Sequence, residues 1–341
     1  MSRVALITDT HFGIYQNNSM VRDHQMQFFD DVFYPELEKR GIKSIIHLGD
    51  LVDYRTTIDY FTLGLIKDHF FRQGYEYHVI IGNHDCYFKN TIGVNAPQIL
   101  FSHYIGAFIN IIDRPFYHEG MLLMPWIARA QREEFIKRIE SSNDPWLLGH
   151  LELKGYKMSN SRVAEQGYTE TQLRLSKFKR VLSGHFHHKS DDGHVCYLGS
   201  PYQMKWDDYG DARGFHVFDT VTGDLEFIEN PSRLFQKITY NNGFEETCKG
   251  AFVKVIIESK QSEVAFEKDL AALENDNMKV AVLDAESILQ DADLDEMLVE
   301  SKGTLGIITE YVESLDIEDK QRKHLNKLVT SLYSEATQTR L

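Results

Sequence analysis

The sequence predicts an α/β fold, because short apolar runs alternate with helical patterns over residues 1–231. Polar motifs also follow several of the predicted strands directly, which is where open α/β sheets place their ligand sites. Hydrophobic residues make up 42% of the 341 residues, which is enough for a globular core and too many for a disordered chain.

The elements of residues 1–231 follow in order from these patterns. The apolar run 4–8 predicts the first buried strand. Apolar residues recur at helical spacing from Val21 to Leu37, and Gly41 supplies a stop signal for that helix. A second helix is predicted over residues 60–71. Further strands are predicted at residues 44–48, 77–81, 122–124, 146–148, 180–182, 195–198, 216–218 and 225–228.

The rest of the chain indicates a different organisation. Residues 232–285 predict a smaller α/β unit, with strands at 251–258 and 279–283 and a helix at 263–273. Between Asp284 and Glu300 there are seven acidic residues and no Lys or Arg, which is typical of an exposed connector. Apolar spacing then predicts two amphipathic helices. The predicted domains are 1–231, 232–285, a linker at 286–303 and a helical segment at 304–341.

The composition argues against several classes of protein. No apolar run approaches the ~18 residues of a membrane span, and the N-terminus lacks the pattern of a signal peptide. Cys86, Cys196 and Cys248 are odd in number and far apart, so we expect no disulfide framework and a reducing cytosol. The 37 Lys and Arg against 51 Asp and Glu give a formal net charge of −14. Taken alone, this charge argues against a phosphate-bearing partner.

Five motifs carry the residues that point to chemistry, and each directly follows a predicted strand. Each motif alone is weak or moderate, since Gly-Asp is also ordinary turn chemistry, but five in order leave little room for chance. Glycines before the polar residues of four motifs allow a sharp exit from the strand. In chain order the motifs are Asp9-Thr10-His11, Gly49-Asp50-Leu51-Val52-Asp53, Gly82-Asn83-His84-Asp85, Gly149-His150 and Gly184-His185-Phe186-His187.

The residue types in these motifs predict a site for divalent metal ions. Carboxylates, imidazoles and one amide oxygen suit borderline cations such as Mn²⁺, Fe²⁺ or Zn²⁺, and the set contains no thiolate for a soft metal. The candidate ligands are too many for one tetrahedral ion, whereas two ions ~3.5–4 Å apart that share a carboxylate would use them all. Such a pair binds a phosphate and lowers the pKa of a bridging water.

Over roughly residues 3–220 the sequence resembles the calcineurin-like metallophosphoesterase superfamily. The resemblance implies an α/β fold with a two-sheet sandwich flanked by helices. It implies His84 as the catalytic histidine, which protonates the leaving oxygen or orients the phosphate. Asp53 would orient and charge the imidazole of His84, and a turn cap is the alternative role. The implied ligands are Asp9, His11 and His187 for the first metal, Asp50 as a bridge, and Asn83, His150 and His185 for the second metal.

Further details favour one branch of this superfamily. Asp53-Tyr54-Arg55 stands where protein phosphatases typically continue with Asp-Arg-Gly, and the Tyr ligand of secreted acid phosphatases is not visible. The order of core, small unit, acidic connector and C-terminal helices is similar to the SbcD-type subunit of double-strand-break repair nucleases, in particular to its compact phage members. Gly199-Ser200-Pro201 and Arg213-Gly214-Phe215 are also similar to that group.

This narrower resemblance implies a Mn²⁺-dependent DNA exonuclease and endonuclease of repair and recombination, with Mg²⁺, Fe²⁺ or Zn²⁺ as alternative metals. Residues 232–285 would form a small α+β capping domain. The subunit would form a homodimer, through residues 60–71 and 97–105, within a heterotetramer with an SMC-like ABC ATPase. A phage member would act in the host cytoplasm. The residues expected to dock on the ATPase, or alternatively to pack on their own domain, are Leu325, Leu328 and Leu332.

A basic segment offers a DNA-binding surface despite the negative net charge. Seven Lys or Arg stand against two Glu between Lys154 and Arg180, and two tyrosines lie among them. A solvated charged surface is the alternative. A stand-alone metallophosphatase or cyclic-nucleotide phosphodiesterase, and a catalytically silent scaffold for DNA ends, also remain open. The expected DNA contacts are Lys154, Lys157, Arg174, Lys177 and Lys179.

Overall fold

The computed structural model describes residues 3–159, 162–244, 246, 248–277 and 279–283. The strands of this part are β1 Arg3–Ile7, β2 Ser44–His47, β3 Glu76–Ile80, β4 Ile109–Ile112, β5 Phe116–His118, β6 Met121–Met124, β7 Trp146–His150, β8 Arg180–Gly184, β9 Ser190–Asp191, β10 Val195–Tyr197, β11 Gly214–Asp219, β12 Leu225–Glu229, β13 Phe235–Asn241, β14 Phe252–Ser259 and β15 Lys279–Leu283. The α-helices are the short Ile14–Asn17, then Ser19–Phe28, Tyr34–Arg40, Tyr60–Leu65, Ala96–Leu100, Arg132–Ser141 and Glu263–Asp276.

These strands form two six-stranded sheets and one three-stranded sheet within the described residues. The first sheet has the order β12-β11-β1-β2-β3-β4, and its strands β1 to β4 are parallel. The second has the order β5-β6-β7-β8-β10-β9, with β6, β7, β8 and β10 parallel. The third has the order β13-β14-β15. The predicted α/β fold with a two-sheet sandwich is therefore confirmed.

The alternation of side chains along each strand separates the core into layers. In β1, Val4 and Leu6 pack in a cluster shared with β6, β7 and β8 of the second sheet, so this cluster lies between the sheets. Ala5 and Ile7 face the opposite way, toward the helices between residues 19 and 70. Leu147 of β7 packs on the outer side of the second sheet, where the helix Arg132–Ser141 contributes its buried residues.

The two long predicted helices are confirmed, but each contains a π-helical turn. In the first, residues 29–33 are π-helical between the α-helices Ser19–Phe28 and Tyr34–Arg40, and Gly41 ends it with φ of 66°. In the second, the α-helix Tyr60–Leu65 continues as a π-helical turn over residues 66–70. Sequence periodicity does not distinguish a π turn from an α-helical one, because both bury apolar residues at similar spacing: Phe29, Phe33 and Phe70 are all buried.

The third sheet packs around its own apolar cluster. Residues from β13, β14 and the helix Glu263–Asp276 are buried together there. The predicted strands 251–258 and 279–283 and the helix 263–273 are thus present, with ends shifted by up to three residues. The domain boundaries remain predictions. The predicted linker and C-terminal helices, with Leu325, Leu328 and Leu332, lie outside the described residues.

The sequence analysis missed several elements with weak patterns. The edge strand β5 is three residues long and half exposed, and β4 is a four-residue run next to a loop. β13 buries Phe235, Ile238 and Tyr240, which do not alternate with period two. None of the described helices has the length and apolar character needed to cross a membrane.

Among the described histidines that are buried without charge, His78 and His216 lie on strands and have a ring nitrogen without a partner. His78 of β3 and His216 of β11 are 2% and 3% exposed, and no hydrogen-bond partner reaches Nδ1 of either among the described residues. Burial lowers the pKa of His78 to about 4 and that of His216 to about 3. The unfolded chain, with histidine pKa values near 6.5, therefore binds protons more readily than the folded chain as the pH falls.

His78 and His216 should therefore each lower the free energy of unfolding as the pH falls from 7 to 5. His216→Phe should remove up to about 2 kcal/mol of this loss, because the variant has no proton to take up at that position on unfolding. Urea unfolding at both pH values measures the effect. An unchanged difference between the two pH values in His216→Phe would contradict the account.

Candidate metal centre

The topology brings all five motifs to one place. In each large sheet, the parallel strands deliver the loops after their carboxyl ends to the same edge. The loops after β1, β2 and β3 come from the first sheet, and the ends of β7 and β8 come from the second. The predicted ligands converge from these five positions: Asp9, His11, Asp50, Asn83, His150, His185 and His187.

The backbone at this edge is unusual. Asp9, His11, Asp50 and His185 have φ values of 52°, 43°, 56° and 90°, in the left-handed region that non-glycine residues rarely adopt. Hydrogen bonds hold these turns: the Asp9 amide donates to the Gly49 carbonyl at 2.9 Å, and the His11 amide donates to the Asp50 carbonyl at 3.1 Å. Backbone strain of this kind concentrates at functional sites.

The motif glycines permit this close packing of loops. A Cβ atom on Gly82 would lie 2.2 Å from the Asp50 amide nitrogen. A Cβ atom on Gly184 would lie 2.0 Å from the Thr8 hydroxyl and 2.7 Å from the Leu48 carbonyl oxygen. Both glycines are therefore needed because neighbouring loops occupy the space of a side chain.

The first cluster joins the loops after β1 and β8. His11 Nε2 lies 3.2 Å from His187 Nε2, 3.9 Å from Asp9 Oδ1 and 3.7 Å from Asp50 Oδ2. Asp9 is fully buried, and its carboxylate accepts hydrogen bonds from the Thr8 hydroxyl at 2.7 Å and from the His185 amide at 3.0 Å. The cluster thus presents imidazole nitrogen and carboxylate oxygen around one point.

The second cluster joins the loops after β2 and β3 to the ends of β7 and β8. Asn83 Oδ1 lies 3.0 Å from His150 Nε2 and 2.9 Å from His185 Nδ1. Asp50 Oδ2 lies 3.3 Å from His150 Nε2. Since the same carboxylate also approaches His11, Asp50 lies between the two clusters.

The hydrogen bonds of two histidines show that each cluster favours a cation. His150 Nδ1 is 2.7 Å from the Leu48 carbonyl, which can only accept, so Nδ1 carries the proton of the neutral ring. Nε2 then directs a lone pair toward the Asp50 carboxylate. His11 is similar, because its Nδ1 is 3.0 Å from Asp53 Oδ1. Facing acceptors without a donor repel one another unless a positive charge lies between them.

The pKa values of these two histidines also indicate that a positive charge is favoured in each cluster. Burial alone would lower the pKa of His150. The carboxylates of Asp50 and Asp9 raise the pKa by more than burial lowers it, so that the pKa is about 9. Burial likewise lowers the pKa of His11, and Asp53 and Asp50 raise it to about 9. A proton or a metal ion is thus favoured at these nitrogens. Because the donors are nitrogen and oxygen only, the set fits a borderline divalent metal.

His84 and Asp53 lie beside the first cluster in an arrangement that the sequence analysis did not anticipate. The rings of His84 and His11 are nearly perpendicular, with 4.7 Å between their centroids. Its Nδ1 is 2.7 Å from the Asp53 main-chain carbonyl oxygen. The Asp53 carboxylate hydrogen-bonds instead to His11 Nδ1. His84 is thus oriented by the backbone of Asp53, while the side chain of Asp53 orients His11.

Asp85 stabilises two loops of the metal centre through backbone hydrogen bonds that the sequence motif did not reveal. Its buried carboxylate accepts four backbone N–H groups: that of Gly82 at 2.8 Å, Asp50 at 3.0 Å, Leu51 at 2.9 Å and Val52 at 3.1 Å. The side chain therefore fastens the Asp50 loop to the Gly82 loop. Only an acceptor with two oxygens could serve all four donors.

The expected DNA contacts fall into two groups. Lys154 and Lys157 line an open cleft of about 660 Å³ with Lys189 and with His188, the neighbour of His187, and the carboxylates of Glu170, Asp191 and Asp192 also line it. The other three basic side chains are engaged elsewhere. Arg174 pairs with Glu140 at 2.8 Å, Lys177 donates to the carbonyls of Ile139 and Glu140, and Lys179 lies over the Trp146 ring.

Comparison with known proteins agrees with this geometry. Residues 2–189 match the model of the calcineurin-like phosphoesterase family. The chain is 28% identical over 351 residues to exonuclease subunit 1 of Enterobacteria phage T4, covering 98% of this chain and 100% of that protein. This confirms the similarity to a phage nuclease subunit that the sequence indicates.

Solved structures with some likeness include a dimetal phosphatase from Danio rerio and the nuclease MPE of Pseudomonas putida. The first is 12% identical with a TM-score of 0.38, covering 63% of this chain and 91% of that one. The second is 15% identical with a TM-score of 0.30, covering 64% and 84%. Scores this low support no inference about function. The family match, which spans more than half of the chain, shows that this protein belongs to the calcineurin-like phosphoesterase family.

Proposed function

We propose that the protein is the nuclease subunit of a DNA repair and recombination complex and hydrolyses DNA phosphodiesters with two divalent metal ions. The observation that carries the proposal is the double cluster of facing acceptors, which shares Asp50 and is bordered by His84. The full-length similarity to a protein named exonuclease subunit 1 supports a nuclease over other phosphoesterases.

The ligands divide into two sets around Asp50. Asp9, His11 and His187 would hold one ion, and Asn83, His150 and His185 would hold the other. Mn²⁺ is our first choice of metal, with Mg²⁺, Fe²⁺ and Zn²⁺ as alternatives. When bound, such a pair supplies charge to bind the phosphate oxygens and acidity to generate a hydroxide nucleophile.

His84 would protonate the leaving oxygen or orient the phosphate. Because its Nδ1 proton is held by the Asp53 carbonyl at 2.7 Å, Nε2 is the atom that carries or releases the transferred proton. His84 also donates its backbone N–H to Asp50 Oδ1 at 2.7 Å, which fixes its loop to the proposed bridging carboxylate. The Asp53 carboxylate keeps the His11 ring in place.

We propose that the DNA backbone follows the cleft that contains Lys154 and Lys157. Neither of these lysines forms an ion pair with another described residue, whereas Arg174, Lys177 and Lys179 are occupied. The structure thus favours two of the five DNA contacts expected from sequence. Short-range attraction by these lysines, and by the metal ions, would offset the net charge of −14.

Changing both cleft lysines is expected to weaken DNA binding. Lys154→Ala with Lys157→Ala should raise the KM for duplex DNA roughly tenfold at 150 mM salt with little change in kcat, and should lower the salt dependence of binding by about two counterions. The matched control is Lys177→Ala with Lys179→Ala, which should leave KM within about twofold. Equal effects of the two pairs would contradict the assignment of the cleft.

The partner assignments stay proposals. A homodimer would use residues 60–71 and 97–105, where Tyr60, Phe61 and Ile99 are 93%, 62% and 63% exposed. An SMC-like ABC ATPase would receive residues 304–341, and the complex would act in the host cytoplasm.

Deleting residues 304–341 should abolish co-purification of the ATPase while Mn²⁺ binding is unchanged. Retained co-purification would refute the docking role of Leu325, Leu328 and Leu332.

The substrate distinguishes this proposal from its alternative. Purified protein should cleave linear duplex DNA in Mn²⁺, with and without its ATPase, faster than it cleaves p-nitrophenyl phosphate or cyclic nucleotides. Cleavage of small phosphoesters alone would instead indicate a stand-alone phosphatase or cyclic-nucleotide phosphodiesterase. Binding of DNA ends without cleavage would indicate a scaffold.

A further inference from the structure

A buried arginine outside the ligand set contacts the metal centre through the main chain. Arg213 directly precedes β11, and its side chain is 2% exposed. Its sequence neighbourhood attracts notice only as a similarity to the SbcD-type group and gives no hint of a contact to the site. The proposed mechanism assigns this residue no role.

One amino group of the Arg213 side chain hydrogen-bonds to the main chain of His187. Nη1 donates to the His187 carbonyl and, at 2.7 Å, to the Ser200 hydroxyl. The same carbonyl also accepts the Ser200 backbone N–H at 3.0 Å. A Cβ on Gly199 would lie 2.9 Å from this carbonyl, so the two chain segments are in direct contact. The imidazole of His187 points away from this anchor, to 3.2 Å from His11 Nε2.

The other amino group binds two carboxylates. Nη2 donates to Asp208 Oδ1 at 2.8 Å and to Asp211 Oδ2 at 2.9 Å. The same Asp211 oxygen lies 2.7 Å from His188 Nδ1. Arg213 therefore ties residues 187–188, Ser200 and residues 208–211 together. The fixed fork of a guanidinium can serve these acceptors at once, whereas a lysine ammonium is a single point of contact.

We propose that Arg213 is a positioning residue that fixes the His187 main chain so that the imidazole stays at the first metal site. This inference rests on the proposed metal centre. The carbonyl of His187 and the buried carboxylate of Asp208 give Arg213 strong partners, so the segment has one favoured position. Without the guanidinium, the imidazole of His187 could still bind a metal ion, but its main chain would no longer be held in one position.

The test measures Mn²⁺ binding by the full-length chain rather than its activity. Isothermal titration gives the number and affinity of bound ions, and electron paramagnetic resonance distinguishes a spin-coupled Mn²⁺ pair from an isolated ion. Arg213→Met should weaken one of the two ions at least tenfold and convert the coupled signal to that of an isolated ion. His187→Ala is the reference, because it removes the ligand itself and should give the same pattern.

Two further variants make the result decisive. Arg40→Met is the matched control, because Arg40 also joins two carboxylates, Glu36 at 3.0 Å and Glu226 at 2.7 Å, with no role at the site. If Arg213→Met does not fold, Arg213→Lys, which keeps the charge, decides by the same criterion. A folded variant that binds two coupled ions with wild-type affinity would overturn the inference. A wild-type chain that binds no Mn²⁺ pair would instead overturn the proposed metal centre.

Discussion

Replacing His84 with Ser is expected to lower kcat for DNA cleavage by about 10²–10⁴ while the protein still binds two Mn²⁺ ions. The imidazole is the only proton-transferring side chain that our mechanism places at the leaving oxygen, and it is not among the proposed ligands. Serine removes the ring but keeps the backbone N–H that His84 donates to Asp50. Single-turnover cleavage of linear duplex DNA, together with titration of bound metal, measures both effects.

The control for this variant is Lys137→Ser, which changes an exposed residue of the helix Arg132–Ser141 that has no proposed role. It should cleave at the wild-type rate. Cleavage by His84→Ser at the wild-type rate would exclude the proposed role, and loss of a metal ion would show that His84 is a ligand after all. A loss of kcat with both ions retained is the outcome that supports the mechanism.

Replacing Asp85 with Ala is expected to destabilise the fold by roughly 3 kcal/mol or more, because it leaves four buried N–H groups without an acceptor. The substitution should also disturb the proposed bridging ligand Asp50, since one of these N–H groups belongs to Asp50 itself. We therefore expect weakened binding of both metal ions, in contrast to the loss of one ion from Arg213→Met. Urea unfolding and Mn²⁺ titration measure the two effects.

Asp85→Asn tests the explanation, because the amide keeps one acceptor oxygen of similar shape. It should lose less stability than the alanine variant, with metal affinity between that of the wild type and that of Asp85→Ala. If Asp85→Ala unfolds like the wild type, the four hydrogen bonds do not hold the Asp50 loop. Equal losses in the Asn and Ala variants would show that charge, rather than the number of acceptors, is what matters.

The sequence was sufficient to predict the fold class and the convergence of the motifs, since both depend on local patterns. A run such as residues 4–8 indicates a strand by itself, and the residues after parallel strands must meet at one edge. That rule places the loops after β1, β2 and β3 together in the first sheet and the ends of β7 and β8 together in the second. The contact of His11 with His187 joins the two sheets, so it follows from how the sheets pack rather than from the rule.

The supporting contacts could not be predicted in this way. Whether the carboxylate or the carbonyl of Asp53 meets His84 depends on side-chain and loop geometry, which no spacing rule specifies. Asp85 and Arg213 act through main-chain groups of other loops, so their partners have no side-chain signature in the sequence. The same holds for the basic segment of residues 154–180. Its sequence does not show that Arg174 pairs with Glu140, because that ion pair forms only in the folded protein.

The most direct test of a two-metal DNA nuclease is the cleavage of end-labelled linear duplex DNA by the purified full-length chain, titrated with Mn²⁺. We expect no cleavage in excess EDTA, cleavage that rises with Mn²⁺ until two ions are bound per chain, and no restoration of cleavage by Mn²⁺ in His84→Ser. Cleavage that persists in EDTA, or that saturates with a single bound ion, would contradict the account.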